Sequence, residues 1–282
     1  KKCLTAVNTT NQPNKDTPKT FHAFSQFYFN TFRKEKVSHA TFKTDIIRYN
    51  KYLLPCFKQT LLKNITPSEC KQLLDSVKQQ GKGKTADELH SLLNIIFKSA
   101  IAHGIIDRNP LDIVLHTQHE RKSGTALTKD EEQRLKTTLK GSQHLTAIML
   151  LLYTGLRPNE LKTAKIDGGF IVAENSKRKN KKVAYKKIPI IKALKPFLSE
   201  PYKVASLDTL RKHFNKILPN HILYDLRTTF YSRCDEFGVS AVARDEFVGH
   251  SNGALTNTYR SLSDEFLIEE SKKLDKCIEI DL

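Results

Sequence analysis

Residues 223–259 read LYDLRTTFYSRCDEFGVSAVARDEFVGHSNGALTNTY, and the expected architecture and chemistry both follow from them. The stretch is helical in pattern, with Gly238 and Gly249 as stops. Tyr224 stands three residues before Arg227, His250 follows Gly249, and Tyr259 comes nine residues after His250. Far upstream, TGLRPNE (154–160) places one more arginine, Arg157, in a turn. Two arginines, a histidine and a tyrosine make a poor core but suit a phosphodiester. Guanidinium groups clamp phosphate oxygens bidentately, imidazole donates a hydrogen bond or a proton, and a phenol can act as nucleophile.

The totals agree with a nucleic-acid partner. The chain has 282 residues, a net charge of +17 and a pI near 9.6, which calls for a polyanion. An anionic membrane surface would need a basic amphipathic helix with a bulky apolar face, and none is found. The longest apolar run, Ala147 to Tyr153, is far too short to span a bilayer, and no signal peptide is present. Cys3, Cys56, Cys70, Cys234 and Cys277 are scattered and odd in number, which fits a reducing cytoplasm. The chain opens on Lys1 rather than Met, so a further N-terminal piece could precede it.

The length predicts two domains. Residues 1–19, rich in Thr, Asn, Lys and Pro, read as a flexible linker. Residues 20–118 read as an all-helical domain of four or five helices. Phe21, Phe24, Phe27 and Tyr28 share a face. Thr66-Pro67-Ser68-Glu69 forms a capping box, and Leu89, Leu92, Leu93, Ile96, Phe97, Ala100 and Ile101 form a stripe. Residues 119–126 form a polar, basic linker that includes Arg121 and Lys122. His116-x-x-His119 has metal-like spacing but no third ligand nearby, so a solvated linker face is the reading.

The second domain, 127–282, opens on another capping box at Thr128–Glu131. An all-apolar helix ends at Gly155, and Pro158 starts a new helix. Phe170–Ala173 and Val183–Ile190 are β-branched and read as a hairpin. The fold class is therefore mainly α with a small β-hairpin or sheet.

Each candidate has a bland alternative. Arg157 could be a surface arginine paired with Glu160, although Glu160 could equally orient it toward an anion at a helix mouth. Residues 177–187, KRKNKKVAYKK, carry seven basic side chains and mostly read as a solvated hairpin. Its tip could still reach into a DNA groove, and one lysine there could protonate a leaving alkoxide. Arg227 is expected on a polar helix face, where an ion pair with Asp225 or Glu236 is the plain reading. Tyr224, one turn before it, can converge on the same place. His250 and Tyr259 could each be structural.

Taken together, the blocks TGLRPNEL (154–161), YDLRTTF (224–230) and VGHSNGALTNTY (248–259) resemble the tyrosine recombinases of the phage-integrase family, over nearly the whole chain. The resemblance implies an all-helical core-binding domain followed by a catalytic domain. It makes Arg157 and Arg227 the phosphate-binding pair, His250 their assistant, Tyr259 the nucleophile and Lys177 the hairpin lysine. Lys179 stands in reserve, because the hairpin is long. Lys179, Lys181, Lys182, Arg121 and Lys122 are expected on DNA. Tyr224 occupies the place where the family pattern carries histidine. It can donate a hydrogen bond but cannot shuttle protons near neutrality.

The resemblance further implies strand cleavage through a 3′-phosphotyrosine, without cofactor or metal, in the service of a phage or other mobile element. The partner is double-stranded DNA, clamped between the two domains by a tetramer in the bacterial cytoplasm, with an accessory directionality factor possible. The tail after Tyr259 would link protomers through Leu262, Phe266, Ile268 and Leu274; packing on its own domain is the alternative. A type IB topoisomerase-like enzyme and a catalytically inactive DNA-binding regulator are the rival readings.

Overall fold

The computed structural model describes residues 18–116, 118–120, 123–176, 183–198, 206–250 and 262–277. They divide into two compact units that part at residue 121, and each has its own apolar core.

The first unit is built from helices: α1 (Phe21–Tyr28), α2 (Lys34–Lys36), α3 (His39–Arg48), α4 (Leu54–Phe57), α5 (Pro67–Gln79) and α6 (Gly83–Ala102). A π turn at Phe29–Arg33 joins α1 to α2, and a second at Tyr49–Leu53 joins α3 to α4. Such turns carry one residue more than a regular turn and shift the face that follows. Phe29 and Tyr49 are thereby fully buried, with ring centroids 5.2 Å apart, whereas Phe27 lies only partly buried at the edge of the core. Thr66 caps α5 as the sequence predicts: its Oγ1 accepts from the Glu69 amide, and Glu69 Oε2 accepts from the Thr66 amide at 2.8 Å. His116 departs from the solvated-linker reading. Its ring stacks on His90 with centroids 4.4 Å apart, and its Nε2 lies 2.8 Å from Asp87 Oδ1.

The second unit contains α7 (Lys129–Thr138), α8 (Leu145–Thr154), α9 (Leu207–Ile217), α10 (Asp225–Glu236), α11 (Ala241–Val248) and α12 (Asp264–Lys272). Its antiparallel sheet has the order β1 (Lys165–Asp167), β2 (Phe170–Glu174), β3 (Tyr185–Pro189). Ile171 faces Ile166 on one side and Ile188 on the other. β1 is absent from the sequence reading because three residues with one apolar side chain give no alternation. The Pro158 helix is one 3₁₀ turn, Pro158–Lys162. From Thr146 to Thr154, α8 is buried on every side, as its apolar sequence requires. It packs against α10, while α11 and α12 pack against β3.

The tail expectation is corrected in part. Leu274 is buried in this unit's core and Leu262 packs on it, while Phe266 and Ile268 remain 37% and 39% exposed. No helix among the described residues is long and apolar enough to cross a membrane.

Gly155 ends α8 in the left-handed region, at φ 62°, where a β-carbon is strained. A Cβ there would also stand 2.4 Å from Cδ1 of Phe230, a core ring. Left-handed strain of about 1–2 kcal/mol and overpacking of about 1–3 kcal/mol act together. Gly155→Ala is therefore expected to lower unfolding stability by about 2–4 kcal/mol in urea denaturation. A loss below about 0.5 kcal/mol would show that the α8–α10 contact yields freely.

Candidate functional site

The αL residue Gly155 turns the chain out of α8 and delivers Arg157, in extended conformation, to the mouth of the 3₁₀ turn. Glu160 fixes it there. Glu160 Oε2 accepts the Arg157 amide at 2.8 Å and Oε1 accepts Arg157 Nη1 at 3.0 Å. Arg157 Nη1 also donates to Asn175 Oδ1 at 3.1 Å. The side chain is buried, yet its Nε has no hydrogen-bond partner among the described residues. An unmatched buried donor costs about 1–3 kcal/mol, a cost that an anionic oxygen from outside would remove.

Arg227 lies on α10 but not on a polar surface face; it is 3% exposed. Neither Asp225 nor Glu236 pairs with it. Nη1 donates to the Gly155 carbonyl at 2.6 Å, and Nη2 to the Val248 carbonyl at 2.8 Å. Nη2 also lies 3.0 Å from His250 Nε2. Burial, reinforced by the charge of Arg157, lowers the Arg227 pKa, with Tyr224 and Glu160 opposing. A guanidinium nonetheless stays charged at any working pH. One arginine thus ties the end of α8 to the end of α11 and meets His250.

His250 follows Gly249, the αL cap of α11, and its amide donates to the Asp245 carbonyl at 2.9 Å. Its side chain remains 42% exposed. Burial, with the charges of Arg227 and Arg157, pushes its pKa below the ordinary histidine value, against the pull of Asp245. That favours the neutral ring, whose Nε2 can accept from Arg227.

Three further residues complete the floor of the site, and motif spacing does not reveal them. Lys186, on β3, is 1% exposed, an exception to the solvated reading given to most of the hairpin lysines. Its Nζ donates to Glu160 Oε2 and, at 3.3 Å, to the Val248 carbonyl. Asn175 bridges Arg157 Nη1 to the Gly249 carbonyl, the second contact at 3.2 Å. Ser176 donates its amide and hydroxyl to Glu160 Oε1 at 3.1 and 3.0 Å. Burial pushes the Glu160 carboxyl up, but the Lys186 ammonium and the donors around it prevail and hold it at about 2. Burial lowers Lys186 to about 8, with Glu160 opposing and both arginines assisting. Gly249 has φ 64°, and a Cβ there would lie 2.6 Å from Asn175 Nδ2 and 2.7 Å from Lys186 Cδ. The close approach leaves room for glycine alone. In sequence, only the alternate burial of β3 could have singled out Lys186, two residues before the core residue Ile188.

Tyr224 stands at the N-cap of α10, 40% exposed, close enough to Arg227 to raise its basicity. Beneath it, buried His221 lies between two carboxylates, Nδ1 3.1 Å from Asp225 Oδ2 and Nε2 3.1 Å from Glu131 Oε1. It pins the start of α10 to α7. The structure thus brings Arg157, Arg227, His250 and Tyr224 to one place. Lys177, Lys179, Lys181, Lys182, Arg121, Lys122 and Tyr259 lie outside the described residues. No cluster of His, Cys, Asp and Glu among the described residues is arranged to hold a metal.

Comparison with known proteins shows what the chain is similar to. Residues 21–114 match the phage integrase central domain. A tyrosine recombinase of Thermosipho africanus (strain TCF52B) is 24% identical over 286 residues, covering 91% of this chain and 99% of that protein. Among solved structures, a lambda integrase tetramer bound to a Holliday junction superposes with a TM-score of 0.72 at 20% identity, covering 92% of this chain and 84% of that one. A lambda integrase dimer bound to a core site gives 0.71 at 20% identity, over 87% and 99%. The Tn1549 transposon integrase with circular intermediate DNA gives 0.63 at 22% identity, over 90% and 100%. The fold of these integrases is the fold of this chain.

Proposed function

We infer that the chain is a tyrosine recombinase of the phage-integrase type and performs site-specific DNA recombination by cutting a strand and holding it as a 3′-phosphotyrosine on Tyr259. The observation that carries the reading is the convergence of two buried guanidiniums, one with an unmatched Nε, on a half-exposed neutral-leaning histidine. Such a site takes a tetrahedral anion. Arg157 and Arg227 contact the non-bridging oxygens of the scissile phosphate, and His250 completes the set of donors.

In the step proposed, the Tyr259 oxygen attacks phosphorus as its phenolic proton passes to water. The bond to the 5′ oxygen breaks, and that oxygen leaves as a hydroxyl after taking a proton, for which Lys177 is the candidate donor. Attack by another 5′-hydroxyl reverses the step. One phosphoester is exchanged for another, so no external energy source is consumed. Related integrases crystallised as dimers and tetramers on DNA support oligomeric action here as well, and a phage or transposon-borne element fits the same relatives. Phe266 and Ile268, the exposed apolar pair on α12, are candidates for the contact between protomers.

The test is covalent trapping. The chain is incubated with fragmented DNA from its source genome and denatured in detergent, and DNA still attached to protein is sequenced. Recovery of one recurrent sequence is expected; tight binding with no attached DNA would make the chain a DNA-binding regulator. On the recovered duplex, Arg227→Ala is expected to slow single-turnover cleavage by about 10²–10³-fold, the usual effect of removing one preorganised donor. Duplex affinity should stay within a few fold. Equal losses in rate and affinity would count against a role in the transition state.

A further inference from the structure

We propose that Lys186 is a positioning residue that holds the Arg157 and Arg227 guanidiniums in register with each other. The proposal rests on the reading of this site as one that binds and cleaves a phosphodiester.

The two arginines are held by different acceptors. Glu160 holds Arg157, and the Val248 carbonyl holds Arg227. Lys186 Nζ donates to both acceptors. One buried ammonium therefore joins the turn after α8 to the end of α11, from a rigid strand paired along its length with β2. Its neighbour Lys187 does what a surface lysine does: it lies over the Phe170 ring and pairs with half-exposed Asp264.

Stability alone does not explain a lysine at this position. Among the described residues of the cluster, Arg157, Arg227 and Lys186 face one carboxylate, Glu160, and His250 lies beside them with Asp245 on its other side. Burying one more cation beside two others is costly, and an apolar side chain of similar length is often as stable or more so. What an apolar side chain cannot do is donate to Glu160 and to Val248 O together. Strand placement adds precision, because groups on regular elements hold geometry better than groups on loops.

The ammonium is also the group of the cluster most easily discharged, its pKa lying at about 8. Above that value the link to Glu160 and Val248 O weakens, while Arg157 and Arg227 stay charged. A misplacement near 1 Å can cost about 10²-fold in rate, so cleavage should decline on the alkaline side as Lys186 loses its proton.

Lys186→Met, Lys186→Arg and the double variant Glu160→Gln/Lys186→Met are compared with the wild-type chain on the duplex recovered by trapping. Three quantities are read: affinity, single-turnover cleavage from pH 6.5 to 9.5, and the side-chain Nε–H NMR signals of Arg157 and Arg227. Lys186→Met is expected to cleave roughly 10- to 100-fold more slowly, bind within about threefold, and lose the alkaline decline. Lys186→Arg is expected to recover most of the rate and to carry the decline beyond the measured range. The two arginine signals are expected to be distinct in the wild type and to collapse toward the free-arginine position in Lys186→Met.

A folded Lys186→Met chain with wild-type rate, pH profile and arginine signals would overturn the proposal. If the buried Glu160 charge prevents that variant from folding, the double variant, which removes both charges, is judged by the same criteria. If the wild-type chain cleaves no DNA, the proposed reaction fails, and the arginine signals alone decide whether Lys186 positions the pair.

Discussion

Tyr259→Phe is expected to leave no DNA attached to denatured protein, while duplex affinity stays within about twofold. The substitution removes one oxygen and no charge. Arg157, Arg227 and His250, the groups proposed to hold phosphate, keep their contacts in the variant. Binding to DNA is dominated by charge and by phosphate contacts, to which a neutral phenol adds little. Covalent attachment has no such redundancy, since without the oxygen no phosphoester can form. A free phenol with a pKa of about 10 costs roughly 4 kcal/mol to ionise at pH 7, and in the proposed step the buried guanidiniums offset that cost. The check is detergent-denaturing electrophoresis of protein with labelled duplex. Attachment surviving in Tyr259→Phe would move the nucleophile elsewhere. Tyr224, 40% exposed beside Arg227, would be the next phenol to replace.

Glu160→Ala is expected to destabilise the second unit by about 3–5 kcal/mol, the usual cost of stranding one partner of a buried ion pair. Glu160 is 1% exposed and binds Lys186, Arg157 and Ser176 together. The loss should depend on pH in a defined direction. In the variant, Lys186 keeps its burial and its two arginine neighbours but loses the carboxylate that opposed them, so its pKa falls below the wild-type value of about 8. The variant can therefore relieve the stranded charge by releasing a proton. The gap from wild type should be largest near pH 6 and shrink by pH 9, where the wild type has itself begun to lose the pair.

In the wild type the carboxylate side runs the other way. The Glu160 pKa is depressed to about 2, so its contribution is complete above the ordinary carboxylate range and is lost as pH falls toward 2. Urea denaturation at pH 6, 7.5 and 9 measures the gap. A gap that grows with pH would mean that Lys186 is not the group left exposed by the substitution.

The sequence made Arg157, Arg227 and His250 legible because each stands in a short block whose spacing survives without the rest of the chain. The capping boxes at Thr66 and Thr128 were legible for the same reason: both partners lie within one helical turn. Lys186 was not legible. It sits in a run of basic residues, and the cue to its burial is Ile188 on the same strand face, a signal that the neighbouring Lys187 blurs. Arg227 was read onto a polar face because Leu226 and Phe230 define the core side of α10. The acceptors that bury it, at Gly155 and Val248, are long-range in sequence. Phe29 and Tyr49 are not picked out by periodicity, because a π turn breaks the 3.6-residue period on which the reading depends. The tail divided because alternate faces of α12 serve different purposes: Leu267 enters the core while Phe266 and Ile268 face outward.

Asn175 and Ser176 form the root of the connection from β2 to β3, and both are bonded into the group that holds Arg157. This root and the proposed phosphate site are therefore linked in the thermodynamic sense. Anything that shifts this root on binding changes how readily Arg157 receives a phosphate oxygen. Reciprocity requires that a phosphate bound at Arg157 change the affinity of the connection for its own ligand by the same factor. Occupying one place tightens or loosens the other, and the two affinities change by one common factor.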